Sequence, residues 1–182
     1  MHLLNINELS FDEVLEEYSV FHGSKKDWWE VRNLKRANEK FGSWISCEIP
    51  SSEIGKIVLG QYKHEGCNIT PEEGSYLIDA HKNFVKNKEY FLTENNQFCN
   101  RFEIQKILIL KEGMRTIFLS ERPLFVGTTY SGLSKFKDDI THLDGFHRLM
   151  AFQDLYVDKK TSIESIKCFI AVSKDFISRI YS

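Results

Sequence analysis

The sequence predicts a single α/β domain in which helices flank a small mixed sheet. Three observations predict it. Apolar residues change period along the chain, from strand-like alternation to helical spacing, and the change is sharpest across residues 140–156. The 182 residues are enough to bury a core without disulfide or metal staples. No internal repeat, low-complexity tract or linker divides the chain, so one domain is expected over 1–182, with a helical N-terminal extension over about 1–42.

The elements follow in order. Ser10 is placed to cap a first helix, Glu13 to close its capping box, and Leu9 with Val14 to form the staple. Phe11, Val14, Leu15 and Tyr18 make its apolar face, and Phe21-His22-Gly23-Ser24 breaks it. A second helix is predicted over about 26–40, with Trp28, Val31 and Leu34 on one side and Gly42 as its stop. Trp44, Ser46 and Glu48 alternate with Ile45, Cys47 and Ile49, which is a strand pattern. Pro50 to Glu53 starts a helical turn carrying Ile54, Ile57 and Val58.

A polar loop over 60–68 holds His64, Glu65 and Cys67. Thr70-Pro71-Glu72-Glu73 is a strong helix start, with a cap, a proline in the first position and a closing glutamate. Leu77, Ala80, His81, Phe84 and Val85 then keep helical spacing, and His81 reads as a satisfied core histidine. Phe102 to Leu110 is read as a strand buried on both faces, and Thr116 to Leu119 as another, ended by Glu121-Arg122-Pro123. The polar stretch 127–139 is read as a flap before the key turn, and Ile166 to Val172 as the last strand.

The chemistry concentrates at Ile140 to Phe152. Ile140 to Leu143 reads as a strand, Gly145 breaks it, and from His147 a helix begins whose apolar face is Leu149, Phe152 and Tyr156. Such a turn sets Asp144, His147 and Arg148 beside the positive end of a helix dipole, where an anion meets backbone donors and a guanidinium together. Asp144 supplies a hard oxygen for Mg²⁺, or alternatively a simple helix cap. Arg148 alternatively serves in an ordinary ion pair with Asp144 or Asp154. Phe146, an aromatic in a turn, is either tucked beneath it or offered to a ligand.

Asp144-Gly145-Phe146-His147-Arg148 resembles the D-G-x-H-R signature of the ParB/sulfiredoxin-like superfamily, whose members bind CTP or ATP and include kinases of free serine. The resemblance spans about 140–172. It implies a small α/β fold in which Asp144, Gly145, Phe146, His147 and Arg148 grip nucleotide phosphates. Sulfiredoxins carry a cysteine before the His-Arg pair; Phe146 stands there, which removes sulfinic-acid reduction from the expectations.

Charge and composition bound the function. Apolar content of 42% with 27% charged residues is that of a globular protein. A net charge of −2 argues against nucleic acid as the main partner, and against a partition-type DNA binder. No apolar run is long enough to span a membrane and no signal-peptide layout is present, so a cytoplasmic protein is expected. Cys47, Cys67, Cys99 and Cys168 form no C-x-x-C pair, so neither a zinc ribbon nor a dithiol motif is supported.

The resulting expectation is a small-molecule kinase using ATP or ADP with Mg²⁺ to phosphorylate a small metabolite such as an amino acid. Arg148, His147 and the Gly145 backbone hold phosphates, Asp144 orients Mg²⁺, and Glu65 takes the acceptor's proton, with Glu48 and Glu121 as rivals. The alternative is a non-catalytic nucleotide switch or interaction module. A third reading takes His142 and Asp144 as part of an iron-type metal site, with His64 or His81 as a distant ligand. Trp28, Trp29 and Trp44 serve either the acceptor pocket or the core.

Overall fold

The computed structural model describes residues 1–22, 29–59, 75–92, 105, 107–111, 125–129 and 139–180. Among these residues the centre is a seven-stranded mixed sheet of β1 (Leu4–Leu9), β2 (Ser43–Pro50), β3 (Val58–Leu59), β4 (Ser75–Tyr76), β5 (Phe125–Thr129), β6 (Ile140–Asp144) and β7 (Ser165–Val172). Their spatial order is β1-β2-β7-β5-β6-β3-β4. Helices α1 (Phe11–His22) and α2 (Trp29–Phe41) cover one face. Helices α3 (Leu77–Leu92), α4 (residues 107–111) and α5 (Phe146–Val157) cover the other, with a 3₁₀ turn at Ser51–Lys56 and a last helix, α6 (Lys174–Ile180). The expected α/β class with a mixed sheet is what the chain forms.

The strand β2 shows why the sheet has two covered faces. Ile45, Cys47 and Ile49 point into the larger core with Phe84, Leu149, Phe152 and Ile170. Trp44, on the alternate face, joins Val14, Tyr18, Leu34 and Phe169 beneath α1 and α2. Its indole Nε1 donates to Asn38 Oδ1 of α2 at 3.1 Å, so the largest core side chain of that face keeps its polar atom satisfied. Trp44 is therefore core rather than pocket lining; Trp28 lies outside the described residues.

The predicted helix starts hold where local chemistry decides them. Glu13 Oε2 accepts from the Ser10 amide at 2.7 Å, and the Glu13 amide donates to Ser10 Oγ at 3.2 Å, which is the expected reciprocal box. Leu9 packs with Val14 in the smaller core. At the end of α2 the Gly42 amide donates to the Asn38 carbonyl at 2.9 Å, with φ at +81°, the left-handed stop that favours glycine.

Other expectations are corrected. The first 42 residues hold not only helices but also β1, which pairs with β2 at the sheet edge. A register shift between Leu4 and Asn7, with Asn5 at φ +50°, spoils the alternation by which a strand is recognised. The apolar run read as a strand over 102–110 is helical at 107–111. There Ile107 and Lys111 point inward while Ile109 is 71% exposed, a spacing that a short Ile/Leu run does not reveal.

Thr70 to Glu73 lie outside the described residues, but α3 itself begins at Leu77, directly after the two-residue strand β4 that pairs with β3. Gly127, read as flap, is in β5, while 130–138 lie outside the described residues, as do Thr116 to Leu119 and Glu121 to Pro123. Tyr156 points to solvent rather than inward. The buried residues of α5 run continuously from Leu149 to Leu155, because α5 is wedged between the sheet and α3. Helix α6, which carries Phe176 and Ile177 against the larger core, is not expected from the sequence.

The packing makes a sharp contrast testable. Phe152→Ala empties a fully buried site in the larger core and is expected to cost about 3–5 kcal/mol. Ile109→Ala, on the exposed side of α4, is expected to stay within about 0.5 kcal/mol. Chemical denaturation of the two variants measures both; a large loss at Ile109 would contradict the helical placement of 107–111.

Candidate functional site

The site begins where β6 ends. Strand β6 lies between β5, antiparallel, and β3, parallel, so its direction is fixed from both sides. At its C-terminal end Gly145 takes φ +99° and ψ +15° and becomes the N-cap of α5 without any side-chain cap hydrogen bond. A residue with a Cβ is strained in that conformation, which is why a glycine stands here. Asp144 is thus not the cap: it is the last residue of the strand, and its carboxylate is used elsewhere.

That carboxylate is held from both layers of the fold. Asp144 Oδ2 accepts from the Tyr18 hydroxyl of α1 at 3.1 Å and from Arg148 Nη2 of α5 at 3.1 Å. Of the two ion pairs open to Arg148, the one with Asp144 forms, one helical turn apart, with both side chains about one-fifth exposed. Helical periodicity places Tyr18 on an apolar face and cannot disclose that its hydroxyl is a site group.

Phe146 is tucked beneath the turn rather than offered outward: it is 4% exposed and belongs to the larger core. The His147 ring stands edge-on to it at 5.4 Å, and the His142 ring lies tilted beside it at 6.0 Å. Burial drives the His142 ring down to about 4, against a hydrogen bond to the Val58 backbone and the charge of Asp144, so it is neutral at physiological pH. Among the described residues its Nδ1 has no hydrogen-bond partner.

Gly145, Phe146, His147 and Arg148 therefore stand around one turn with Asp144, as the sequence placed them. Glu65, His64, Cys67 and Glu121 lie outside the described residues. Glu48 sits on β2, separated from β6 by β7 and β5, about 14 Å away at three strand spacings. Hydrogen bonds from Ser165 and Asn5 hold its carboxyl below the usual range, which makes it a weak base. Among the described residues no three His, Cys, Asp or Glu side chains gather as a metal site, so the iron-type constellation on His142 and Asp144 has no third ligand there.

A second polar cluster lies further along α5. Asp154 Oδ1 is 2.9 Å from His81 Nε2, and Lys111 Nζ donates to Asp154 Oδ2 at 2.6 Å and to Asp158 Oδ2 at 2.8 Å. His81 is the satisfied core histidine expected, and Asp154 binds α3, α4 and α5 together. Burial alone raises the Asp154 carboxyl, but hydrogen bonds from His81 and Lys111 and the lysine charge outweigh it and bring it to about 2.

The fold and the turn together define a class: a three-layer α/β domain with a polar strand–glycine–helix turn at the end of an inner strand. Within that class the chain belongs to the family described as a family of unknown function, DUF6309, whose model matches residues 3–176. No curated protein and no solved structure matches it. No described helix is long and apolar enough to cross a membrane.

The depressed Asp154 carboxyl fixes the sign of a pH effect. Its contribution to stability is present above the ordinary carboxyl range and is lost as the pH falls towards about 2. The stability gap between wild type and Asp154→Asn is expected to narrow by about 1–2 kcal/mol between about pH 5 and pH 2.5. Urea unfolding across that range measures it, and a constant gap would show that the pair with Lys111 carries no such linkage.

Proposed function

We propose that the protein is a nucleotide-dependent phosphotransferase acting on a small metabolite, with the turn at Asp144 as its phosphate site. The observation that carries this reading is the left-handed Gly145 between β6 and α5, which sets Asp144, His147 and Arg148 at the N-terminus of a twelve-residue helix. A helix start favours anions, and Arg148 adds a guanidinium whose fork matches phosphate geometry. The resemblance of Asp144 to Arg148 to the ParB/sulfiredoxin-like signature supports the same ligand class, and the nucleotide proposed is ATP or ADP.

In this mechanism Arg148, His147 and the Gly145 backbone hold the phosphates. Mg²⁺ binds through one or two carboxylates plus phosphate oxygens and water, so Asp144 as a single protein carboxylate fits the donor set. The ion would neutralise charge on the phosphates. The Arg148–Asp144 pair keeps the guanidinium at the turn before ligand arrives, and phosphoryl transfer asks for such positioning more than for covalent chemistry. Glu65 is proposed as the base that takes the acceptor's proton.

A second reading, a nucleotide-responsive switch without turnover, is favoured by one contact. The Tyr18–Asp144 hydrogen bond ties α1 to the turn, so a ligand engaging Asp144 would be felt on the opposite face of the sheet.

Thermal unfolding with ATP, ADP, CTP and GTP, each with and without Mg²⁺, tests the site. A nucleotide at about a hundred times its dissociation constant is expected to raise Tm by roughly 5–10 °C in wild type and not in Arg148→Ala. No shift with any nucleotide would overturn the phosphate reading. Consumption of the bound nucleotide when candidate acceptors are added, lost in Glu65→Gln, separates a kinase from a switch.

A further inference from the structure

We propose that Cys47 and Cys168 form a redox-modification site: a buried cross-strand thiol pair that hydrogen peroxide converts to a disulfide within the native fold. Neither residue belongs to the Asp144 turn, and the inference stands apart from the nucleotide reading.

The geometry comes from strand register. Strands β2 and β7 are inner neighbours paired antiparallel over eight residues, with Cys47 directly opposite Cys168. Opposed residues of an antiparallel pair have Cα atoms about 4.5–5.5 Å apart. A disulfide spans about 4.4–6.8 Å between Cα atoms, so the backbone already meets the requirement. Both side chains point into the larger core, and their sulfurs are 3.4 Å apart. Bond formation needs a further approach of about 1.4 Å, a displacement that side-chain rotation can supply.

Sequence spacing does not disclose this pair, because the two cysteines are far apart in the chain and form no C-x-x-C motif. The pairing of β2 with β7 makes them neighbours. A small thiol at either position would pack as an ordinary apolar residue; two facing each other form a pair with defined chemistry.

The step balances. One thiol, deprotonated, attacks a peroxide oxygen: the S–O bond forms, the O–O bond breaks, and the leaving hydroxide takes up the proton as water. The second sulfur attacks the sulfenic sulfur, so the S–S bond forms, the S–O bond breaks and a second water leaves. Two thiols lose two protons and two electrons, and peroxide gains them. Burial, and the hydrogen bond with Cys47, push the Cys168 thiol up, so the reaction is slow. The facing thiol traps the sulfenic acid before further oxidation.

The product would staple β2 to β7 and enclose about 120 residues of chain, including α3, α5 and the Asp144 turn. The folded protein is incubated with hydrogen peroxide, remaining thiols are alkylated, and peptides are read by mass spectrometry without reduction. The expected result is a Cys47–Cys168 linked peptide that dithiothreitol abolishes, in a protein whose near-ultraviolet circular dichroism is unchanged. Tm of the oxidised form is expected to rise by roughly 5 °C or more. Cys47→Ser and Cys168→Ser should each lose the linked peptide; the wild-type result stands even where a variant folds poorly. Alkylation of Cys47 and Cys168 themselves after unfolding of the peroxide-treated protein, or linkage of either residue to Cys67 or Cys99 instead, would overturn the proposal.

Discussion

A sheet covered on both faces has room for polar chemistry only where its strands end, and that constraint shapes this protein. Trp44 and Phe169 serve the core under α1 and α2, while Ile45, Cys47 and Ile170 serve the core under α3 and α5. From Trp44 to Cys47 and from Cys168 to Val172 the side chains of β2 and β7 are buried on both faces. At the end of β6 the chain must turn into α5, and Gly145 makes that turn in a conformation other residues adopt only under strain. Asp144, the last strand residue, is then reached by Tyr18 from one layer and Arg148 from the other.

The helix that leaves the turn is anchored at both ends of its length by carboxylates. Near its start Arg148 returns to Asp144; two turns on, Asp154 gathers His81 and Lys111 from two other helices. The second cluster is almost fully buried and joins elements distant in sequence, so removing one partner strands a charge in the core. Rigidity of α5 follows from that network and from the core residues Leu149 and Phe152. A site at the start of α5 therefore sits on a well-held element, which is what ligand positioning needs.

Much of this was legible in the residues because local chemistry decides it. The Ser10–Glu13 box, the Gly42 stop, the β2 alternation and the β6–Gly145–α5 turn are all specified within a few residues. The illegible parts depend on partners. Residues 107–111 form a helix because Ile107 and Lys111 face inward, Lys111 onto Asp154, and no period in a short Ile/Leu run discloses that. Strand β1 was hidden by the register shift at Leu4 and Asn7. Tyr18 looked like core, and its hydroxyl gains meaning only once α1 lies over the end of β6. Likewise β2–β7 pairing, not sequence spacing, brings Cys47 to Cys168.

The phosphate site proposed at the turn from Asp144 to Arg148 is open to direct test. The most direct measurement is a map of backbone amide chemical shifts by nuclear magnetic resonance as ADP with Mg²⁺ is added. The largest changes are expected on Gly145 to Arg148, with smaller ones around Tyr18 through its bond to Asp144. Changes centred on residues far from the end of β6, with the Gly145 amide unmoved, would contradict it.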